Sequence, residues 1–402
     1  MAEKLTLDLI DKALDSGASA LRRCVRLQPA GGTGDKIFPP TYSGGAYATE
    51  IRVIDDEPVN CVLLDSVQSQ ANRMELALLD AWKRKQMTLP VISVDFTGKV
   101  DGVGTITSLE APHRISDAIL RDSETEGVAF RESEAGKSFT DASTRDATAL
   151  FGWCPTALIY GIWDSTGPKG GLGAKFQRAV VSEIIGINVQ EGKKTSSRID
   201  PLQIRKDAGP LYKAVNGSWT LDEKEALKEK GKPVLYGKDG KDGAPSTAIH
   251  GNIVPAIENG GFTIKYALHF TTISLAALRR LHFPVNGKES GDVDKAARAV
   301  LALLALTGSI LQAEYGYDLR SRCLLIPEVE APLELVGTSL ADAKQVQIDR
   351  SGVLDLFKQA VDRAKKVGLP WNDKGLVLTP NKSFVALVKK NIEIAAHTTE
   401  GD

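Results

Sequence analysis

The stretch DSVQSQANRMELALLDAW, residues 65–82, gives the clearest structural signal in the sequence. Its apolar residues recur at steps of four, three, four and four: Val67, Ala71, Met74, Leu78 and Trp82. This spacing places them along one face, so it predicts an amphipathic α-helix over residues 66–82. Asp65 can cap the helix, and Gln68 stands where a capping box needs glutamine or glutamate.

The start of this helix is also a candidate anion-binding site. Backbone N–H groups at a helix start attract phosphate, and polar side chains there can contact ribose. The polar residues off the apolar face are Ser66, Gln68, Ser69, Asn72 and Arg73. Ordinary capping with a polar outer face gives the same pattern, so the residues alone leave both interpretations open.

The remaining patterns mix helices and strands without the regular alternation of a doubly wound sheet. They predict helices over 1–26, 293–314 and 351–366, and strands over 91–96, 151–165 and 262–270. The helix over 293–314 is apolar almost all round, which favours burial, and its apolar run is too short to span a membrane. The sequence therefore predicts an α+β fold.

Composition excludes several classes of protein. Of the 402 residues, 42% are hydrophobic and 25% are charged, which is typical of a globular protein and excludes disorder and collagen. Fifty Lys and Arg oppose 51 Asp and Glu, so the net charge is −1. The four cysteines form no C-x-x-C motif, which argues against disulfides and a cysteine-rich zinc site. With no signal peptide in the first residues, we expect a cytoplasmic protein.

A glycine-rich turn, TGPKGGLGAKFQR at 166–178, lies in a locally basic segment. Between residues 160 and 213, basic residues outnumber acidic ones by nine to five. Backbone amides of such a turn can approach an anion while Lys and Arg supply charge. The candidates are Lys169, Gly170, Gly171, Gly173, Lys175 and Arg178. A tight turn with solvated lysines explains the same residues.

Aromatic residues interleave with these basic ones: Trp153, Tyr160, Trp163 and Phe176. They suit base stacking, although packing in the core is the commoner fate of such side chains. Enzyme motifs are missing from the sequence. No P-loop, G-x-S-x-G elbow or H-x-x-x-H pair occurs, so we expect no cofactor and no metal site.

Long motifs make the chain resemble the backbone subunit of the type I-U (I-G) CRISPR surveillance complex, a member of the RAMP superfamily. The stretches that carry the resemblance are KIFPPTYSGGAYATEIR (36–52), LLDSVQSQANRMELALL (63–79), TSLEAPHRISDAILRDS (107–123), FGWCPTALIYGIWDSTGPKGGLGAKFQRAVVSEIIG (151–186), HGNIVP (250–255) and SLAALRRLHFP (274–284). Basic residues in these stretches join the candidates as RNA-binding residues: Lys36, Arg52, His113, Arg114, Arg121, Arg279 and Arg280.

The resemblance implies an RRM-like (ferredoxin-like) core with large inserted arms, shaped like an open hand. It implies residues 1–190 as the first part of that core, 191–250 as a thumb-like or finger-like arm, 251–330 as the rest of the core, and 331–402 as a C-terminal helical extension. Such a subunit is not an enzyme. It polymerises along CRISPR RNA and displays the bases for pairing with target DNA.

The expected partners are therefore CRISPR RNA, the target DNA strand through the guide, further copies of the chain, the large subunit, the guide-processing and end-capping subunit, and a recruited nuclease-helicase, with no membrane. A guide holder must accept any spacer, so it should contact phosphate and ribose and leave base edges free. The alternative is a metal-dependent RNA-cleaving RAMP subunit, with Asp95, Asp101 or Asp122 in the catalytic loop. A phosphate-binding enzyme unrelated to CRISPR is a more distant alternative.

Overall fold

The computed structural model describes residues 2–170, 173–237, 240 and 242–398. Its helices are α1 (Leu7–Asp15), α2 (Val67–Lys83), α3 (Ala118–Arg121), α4 (Glu134–Thr140), α5 (Thr148–Trp153), α6 (Thr156–Tyr160), α7 (Leu275–Leu278), α8 (Gly291–Glu314), α9 (Arg350–Lys366) and α10 (Lys382–Thr398).

The strands of the described residues are β1 (Glu3–Lys4), β2 (Ala20–Pro29), β3 (Thr49–Ile54), β4 (Glu57–Asp65), β5 (Ile92–Asp95), β6 (Thr105–Thr107), β7 (Ser123–Thr125), β8 (Val128–Ala129), β9 (Ile162–Trp163), β10 (Lys175–Phe176), β11 (Val180–Ile187), β12 (Gln190–Arg198), β13 (Tyr212–Lys213), β14 (Trp219–Thr220), β15 (Lys228–Glu229), β16 (Lys232–Pro233), β17 (Ile253–Thr263), β18 (Tyr266–Ser274), β19 (Tyr317–Arg320), β20 (Cys323–Pro327), β21 (Leu333–Val336), β22 (Lys344–Gln347) and β23 (Leu376–Pro380). The mixture confirms the predicted α+β class.

The chain divides into two compact units. The large unit comprises residues 1–190 and 262–385, and the small unit comprises residues 191–261 and 386–402. The boundaries at 190, 250 and 330 that the sequence suggests divide the chain by expected role, not by compactness, and they stay a prediction. Residues 331–385 supply strands β21, β22 and β23 to the sheets of the large unit as well as helix α9.

A ten-stranded sheet organises the large unit. Its main path has the order β1-β22-β21-β2-β18-β11-β4-β3, and β20 also pairs with β2. Strands β2 and β11 flank β18 and both run antiparallel to it. They are therefore parallel to each other, and the chain between them must cross over the sheet, which it does through α2. Likewise β18 and β20 flank β2, both antiparallel to it, and α8 lies in that crossover.

Helix α8 is the core helix of the large unit. It packs against α2, α1 and α9, and its side chains from Ala296 to Leu306 are buried with few exceptions. It is the one helix among the described residues with the length and apolarity to cross a membrane, but 83% of its most apolar window is buried inside the protein. The predicted buried helix is confirmed.

Two sequence-based predictions of secondary structure are wrong. The helix expected over 1–26 ends at Asp15, because Gly17 adopts a left-handed φ of +80° and β2 begins three residues later. The strand expected over 151–165 is mostly helix, formed by α5 and α6. From Phe151 to Ile162 its apolar residues are buried, apart from the half-buried Trp153, so neither a two-residue nor a 3.6-residue period appears in the sequence.

Two boundaries also differ from the expected ones. Helix α2 follows the predicted apolar stripe, but its cap is Ser66 and not Asp65: the Ser66 hydroxyl accepts a hydrogen bond from the Ser69 N–H at 3.2 Å. The strand expected over 262–270 falls on two strands, because β17 ends at Thr263 and β18 begins at Tyr266.

Candidate nucleic-acid interface

A cleft of about 930 Å³ lies within the large unit. Its walls come from the first turns of α2, from the segment between Pro112 and Arg121, from the β9–β10 hairpin, and from the end of α7. These segments are far apart in sequence. The candidate residues that the cleft brings together are Gln68, Asn72, His113, Arg114, Arg121, Lys175, Arg178 and Arg280.

The cleft is positively charged. Its cationic residues are Arg114, Arg121, Lys175, Arg178 and Arg280, and no Asp or Glu is among the described residues that line it. A concave surface with one sign of charge raises the local concentration of oppositely charged ligands. The arrangement therefore suits a polyanion, although the net charge of the chain is −1.

Arg114 lines the cleft and forms a buried ion pair with Glu75, which is not itself among the lining residues. Arg114 donates through Nε and Nη2 to the two carboxylate oxygens of Glu75, at 2.7 and 2.8 Å, and through Nη1 to the Gly161 carbonyl at 3.0 Å. Burial raises the pKa of Glu75 to about 7, while the charge of Arg114 opposes that rise. The hydrogen bonds of Arg114 therefore join its own segment to α2 and to the residue that follows α6.

Arg178 is a partly buried cation in the cleft. Its guanidinium makes no ion pair among the described residues, and its Nη1 atom is buried without a hydrogen-bond partner there. Burial lowers the pKa of Arg178, and the nearby charge of Arg114 lowers it further. A buried, unpaired donor is costly, and an anionic oxygen in the cleft would satisfy it.

The rim of the cleft carries the more exposed charges. Lys175 and Arg280 are exposed and make no ion pair among the described residues, and the Lys175 ammonium lies 4.9 Å from the ring centroid of Trp163. Arg121 donates two hydrogen bonds to the carboxylate of Asp122, each at 2.9 Å. Gln68, Asn72 and His113 are exposed and supply hydrogen-bonding groups.

At the start of α2, the predicted anion site already holds an internal anion. The carboxylate of Asp65 is 1% exposed and accepts from Ser69 Oγ at 2.8 Å and from Arg73 Nε at 2.9 Å. Arg320 lies against the same carboxylate, and Arg73 also donates to the Leu319 carbonyl at 2.8 Å. Ser66, Ser69 and Arg73 therefore stabilise the helix start and its contact with β19.

In the glycine-rich turn, two backbone amides likewise form hydrogen bonds within the turn itself. The Gly170 N–H donates to the Gly167 carbonyl at 2.9 Å, and the Gly173 N–H donates to the Gly170 carbonyl at 3.0 Å. Lys169 pairs with Asp141, and Gly171 lies outside the described residues. These amides are engaged within the turn, so the candidates of this segment that face the cleft are Lys175 and Arg178.

Three further candidates lie away from the cleft. Arg52 pairs with Glu183 at 2.7 Å and with Glu50. Arg279 donates to the carbonyls of Gly17 and Ala18. Lys36 lies 5.7 Å from the ring centroid of Phe38.

Sequence reasoning missed Glu75. The signal was present, because Glu75 follows Ala71 by four residues and precedes Leu78 by three, which places it on the apolar face of α2. A carboxylate on a buried face needs a cationic partner, and Arg114 is the partner that the fold supplies.

Part of the chain matches the model of a known protein family. Residues 21–191 match the family described as CRISPR-associated protein GSU0053. The match covers fewer than half of the 402 residues, contains four of the six stretches on which the resemblance rests, and confirms a resemblance to a CRISPR-associated family. No curated protein matches the sequence significantly.

Among solved structures, the chain is similar to the crystal structure of Thermofilum pendens Csc2 at 10% identity and a TM-score of 0.26. The alignment covers 97% of this chain and 82% of that one. At this TM-score the two folds are not shown to be the same.

Proposed function

We propose that the chain is the CRISPR RNA-binding backbone subunit of a type I-U/I-G Cascade complex. In this proposal it polymerises along the guide RNA, binds the sugar-phosphate chain and presents the bases for pairing with target DNA in antiviral defence. The observation that carries the proposal is the cationic cleft, in which Arg178 and Arg280 have no carboxylate partner among the described residues.

The order of the strands supports an RRM-like (ferredoxin-like) core. Strands β20, β2, β18 and β11 are neighbours in that order, all antiparallel, with α2 and α8 in the two crossovers. A βαββαβ unit with strand order 4-1-3-2 has this arrangement. We propose that this unit is the core of the subunit and that residues 191–250 are its inserted arm.

The proposal places the protein in the cytoplasm, with CRISPR RNA, further copies of itself and the other Cascade subunits as partners. It assigns no catalysis to the chain and leaves cutting to a recruited nuclease-helicase. No group of three or more potential metal ligands occurs among the described residues. Of the aspartates considered for a cutting loop, Asp95 accepts from the Thr97 N–H, and Asp122 pairs with Arg121.

The test is the salt dependence of RNA binding. The double variant R178Q/R280Q should bind single-stranded RNA more weakly, by the same factor for two unrelated sequences. Its plot of log affinity against log salt should be shallower by about 1.4 units, because each lost phosphate contact on a single strand removes about 0.7. The control is K12Q/R84Q, which removes two exposed cations that pair along their own helices.

An unchanged slope, or a loss confined to one RNA sequence, would contradict a backbone-binding cleft. Incubation of the purified protein with labelled RNA and complementary DNA in Mg²⁺ or Mn²⁺ tests the absence of catalysis. Defined cuts that disappear when a single aspartate is replaced would favour the RNA-cleaving alternative.

A further inference from the structure

Trp163 is an aromatic side chain to which the proposed phosphate binding gives no role. Of the aromatic residues interleaved with the basic segment, Tyr160 and Phe176 are buried at 1% and 4% exposure. Trp163 is 56% exposed and lies in the wall of the cationic cleft. An indole in the wall of a cleft offers a ligand a large apolar face and a polar N–H, which is why tryptophan is enriched at binding interfaces.

The backbone that carries this indole is anchored on both sides. Trp163 stands between Ile162, which is 8% exposed, and Asp164, which is 1% exposed. Asp164 accepts two hydrogen bonds from the guanidinium of Arg131, at 2.7 and 2.8 Å. Both neighbours therefore anchor the backbone, and the exposed ring is presented to the cleft at a small cost in conformational entropy.

The cross-strand partner of Trp163 is cationic. In the β9–β10 hairpin Trp163 lies opposite Lys175, whose ammonium is 4.9 Å from the ring centroid. This places a positive charge next to an aromatic surface, which is the combination that proteins use to hold single-stranded nucleic acid. In such proteins the positive charge contacts the phosphate, and the aromatic ring stacks on the base.

We propose that Trp163 is a stacking platform for one unpaired nucleobase of the strand whose phosphates lie in the cleft. The inference rests on the proposed function and adds a base contact to it. Stacking is tolerant of sequence because every base has a π face, so this contact agrees with a protein that must accept any spacer. A protein surface packed on the indole is the competing explanation.

The test compares two ligands of equal length: oligouridylate and an abasic oligomer with the same ribose-phosphate chain. Trp163→Ala should weaken oligouridylate binding about 5- to 150-fold, the range expected for the loss of one stacked base, and leave binding of the abasic oligomer unchanged. Trp163→Phe should retain most of the affinity and serves as the folding control. Tyr315→Ala removes an aromatic side chain that is 60% exposed and does not line the cleft, and it should bind both ligands normally.

The outcomes separate the two proposals. If the wild type binds neither oligomer, the proposed RNA-binding function fails. If the wild type binds both and Trp163→Ala binds oligouridylate equally well, stacking fails and the phosphate grip stands. If Trp163→Ala loses both ligands equally, the indole maintains the shape of the cleft and stacking is wrong. Quenching of tryptophan fluorescence by oligouridylate, absent with the abasic oligomer and absent in Trp163→Phe, supports stacking directly.

Discussion

Arg114 and Glu75 show how a cation that lines the cleft can pair with a buried carboxylate. Both side chains are almost completely buried, at 7% and 3% exposure, and the carboxylate accepts two hydrogen bonds from one guanidinium. Removing one partner of such a pair leaves the other charge buried and unpaired, whereas replacing both with apolar residues of similar size removes the penalty.

We therefore predict that Arg114→Met lowers the free energy of unfolding by about 3–5 kcal/mol, and that Arg114→Met combined with Glu75→Leu recovers most of that loss. Urea denaturation of the two variants and of Glu75→Leu alone completes the double-mutant cycle. Additive losses in the double variant would show that the pair does not act as a unit.

Because His269 is buried, we expect the stability of the protein to depend on pH. His269 is 3% exposed, and its Nε2 lies 2.8 Å from Ser182 Oγ while its Nδ1 lies 3.3 Å from the Tyr317 hydroxyl. Burial lowers the pKa of His269 from 6.5 to about 3, and the charge of Arg23 adds to this effect. The unfolded chain thus takes up a proton below pH 6.5 that the folded protein refuses until about pH 3.

The stability that His269 contributes is present above pH 6.5 and is lost as the pH falls toward 3, at about 1.4 kcal/mol per pH unit. As the pH falls from 6.5 to 4.5, we predict that the free energy of unfolding decreases by about 2–3 kcal/mol less in His269→Gln than in the wild type. Urea midpoints measured across this range test the difference. Parallel pH profiles for the two proteins would contradict a neutral, buried His269.

At the scale of elements, Gly161 couples the end of α6 to the cleft. It adopts a left-handed φ of +85°, and its carbonyl accepts the hydrogen bond from Arg114. A Cβ atom here would lie 3.0 Å from Arg178 Cγ and 3.2 Å from the Phe176 carbonyl oxygen. Glycine therefore lets the stem of Arg178 pass close to the backbone and reach the cleft.

Gly161→Ala should lower the free energy of unfolding by about 1–3 kcal/mol, because φ +85° with ψ 155° is a backbone conformation that essentially only glycine adopts. It should also weaken RNA binding, because the added methyl group displaces Arg178. Thermal unfolding and RNA titration measure the two effects. Gly98→Ala is a matched control, since Gly98 also has a left-handed φ, of +71°, but nothing lies within 4 Å of its added Cβ. If the two variants bound RNA with equal affinity, the idea that glycine at position 161 positions Arg178 would be wrong.

The sequence predicts elements with a strong period better than it predicts the partners of charged residues. The 3.6-residue pattern places α2, α8 and α9 within a few residues of their observed bounds, because each has a buried face or is buried all round. The α5–α6 segment is missed because burial on all sides removes the pattern.

Among the candidate residues, residue type and local spacing find the cations but not the groups with which those cations pair. Arg73 meets Leu319, Lys169 meets Asp141, and Arg52 meets Glu183. Only the folded chain brings these groups together, since the partners stand 246, 28 and 131 positions away in sequence. Whether a predicted cation is free to bind a phosphate is therefore a property of the tertiary structure.

At the scale of the molecule, charge and apolar surface are distributed unevenly. The chain has almost no net charge, yet the cleft of the large unit is cationic. The small unit, described by itself, exposes large apolar side chains: Ile199, Leu202, Val215 and Val254 are between 75% and 84% exposed. Surface of this kind is more often found where a protein has a binding partner.

We predict that residues 191–237 of the small unit open readily in the free subunit and become protected when the subunit assembles on guide RNA. Segments with few buried apolar contacts have a low free energy of local opening, and a binding partner that covers them raises it. Limited trypsin digestion tests this, because the segment carries exposed Lys193, Lys194 and Arg205.

Cleavage in the segment should be fast in the free protein and slow in the RNA assembly, while α8 stays intact in both because it is buried. The R178Q/R280Q variant, mixed with the same RNA, should remain as sensitive as the free wild type, which links protection to binding in the cleft. Equal cleavage of the wild type with and without RNA would show that the small unit packs as ordinary domain structure and takes no part in assembly.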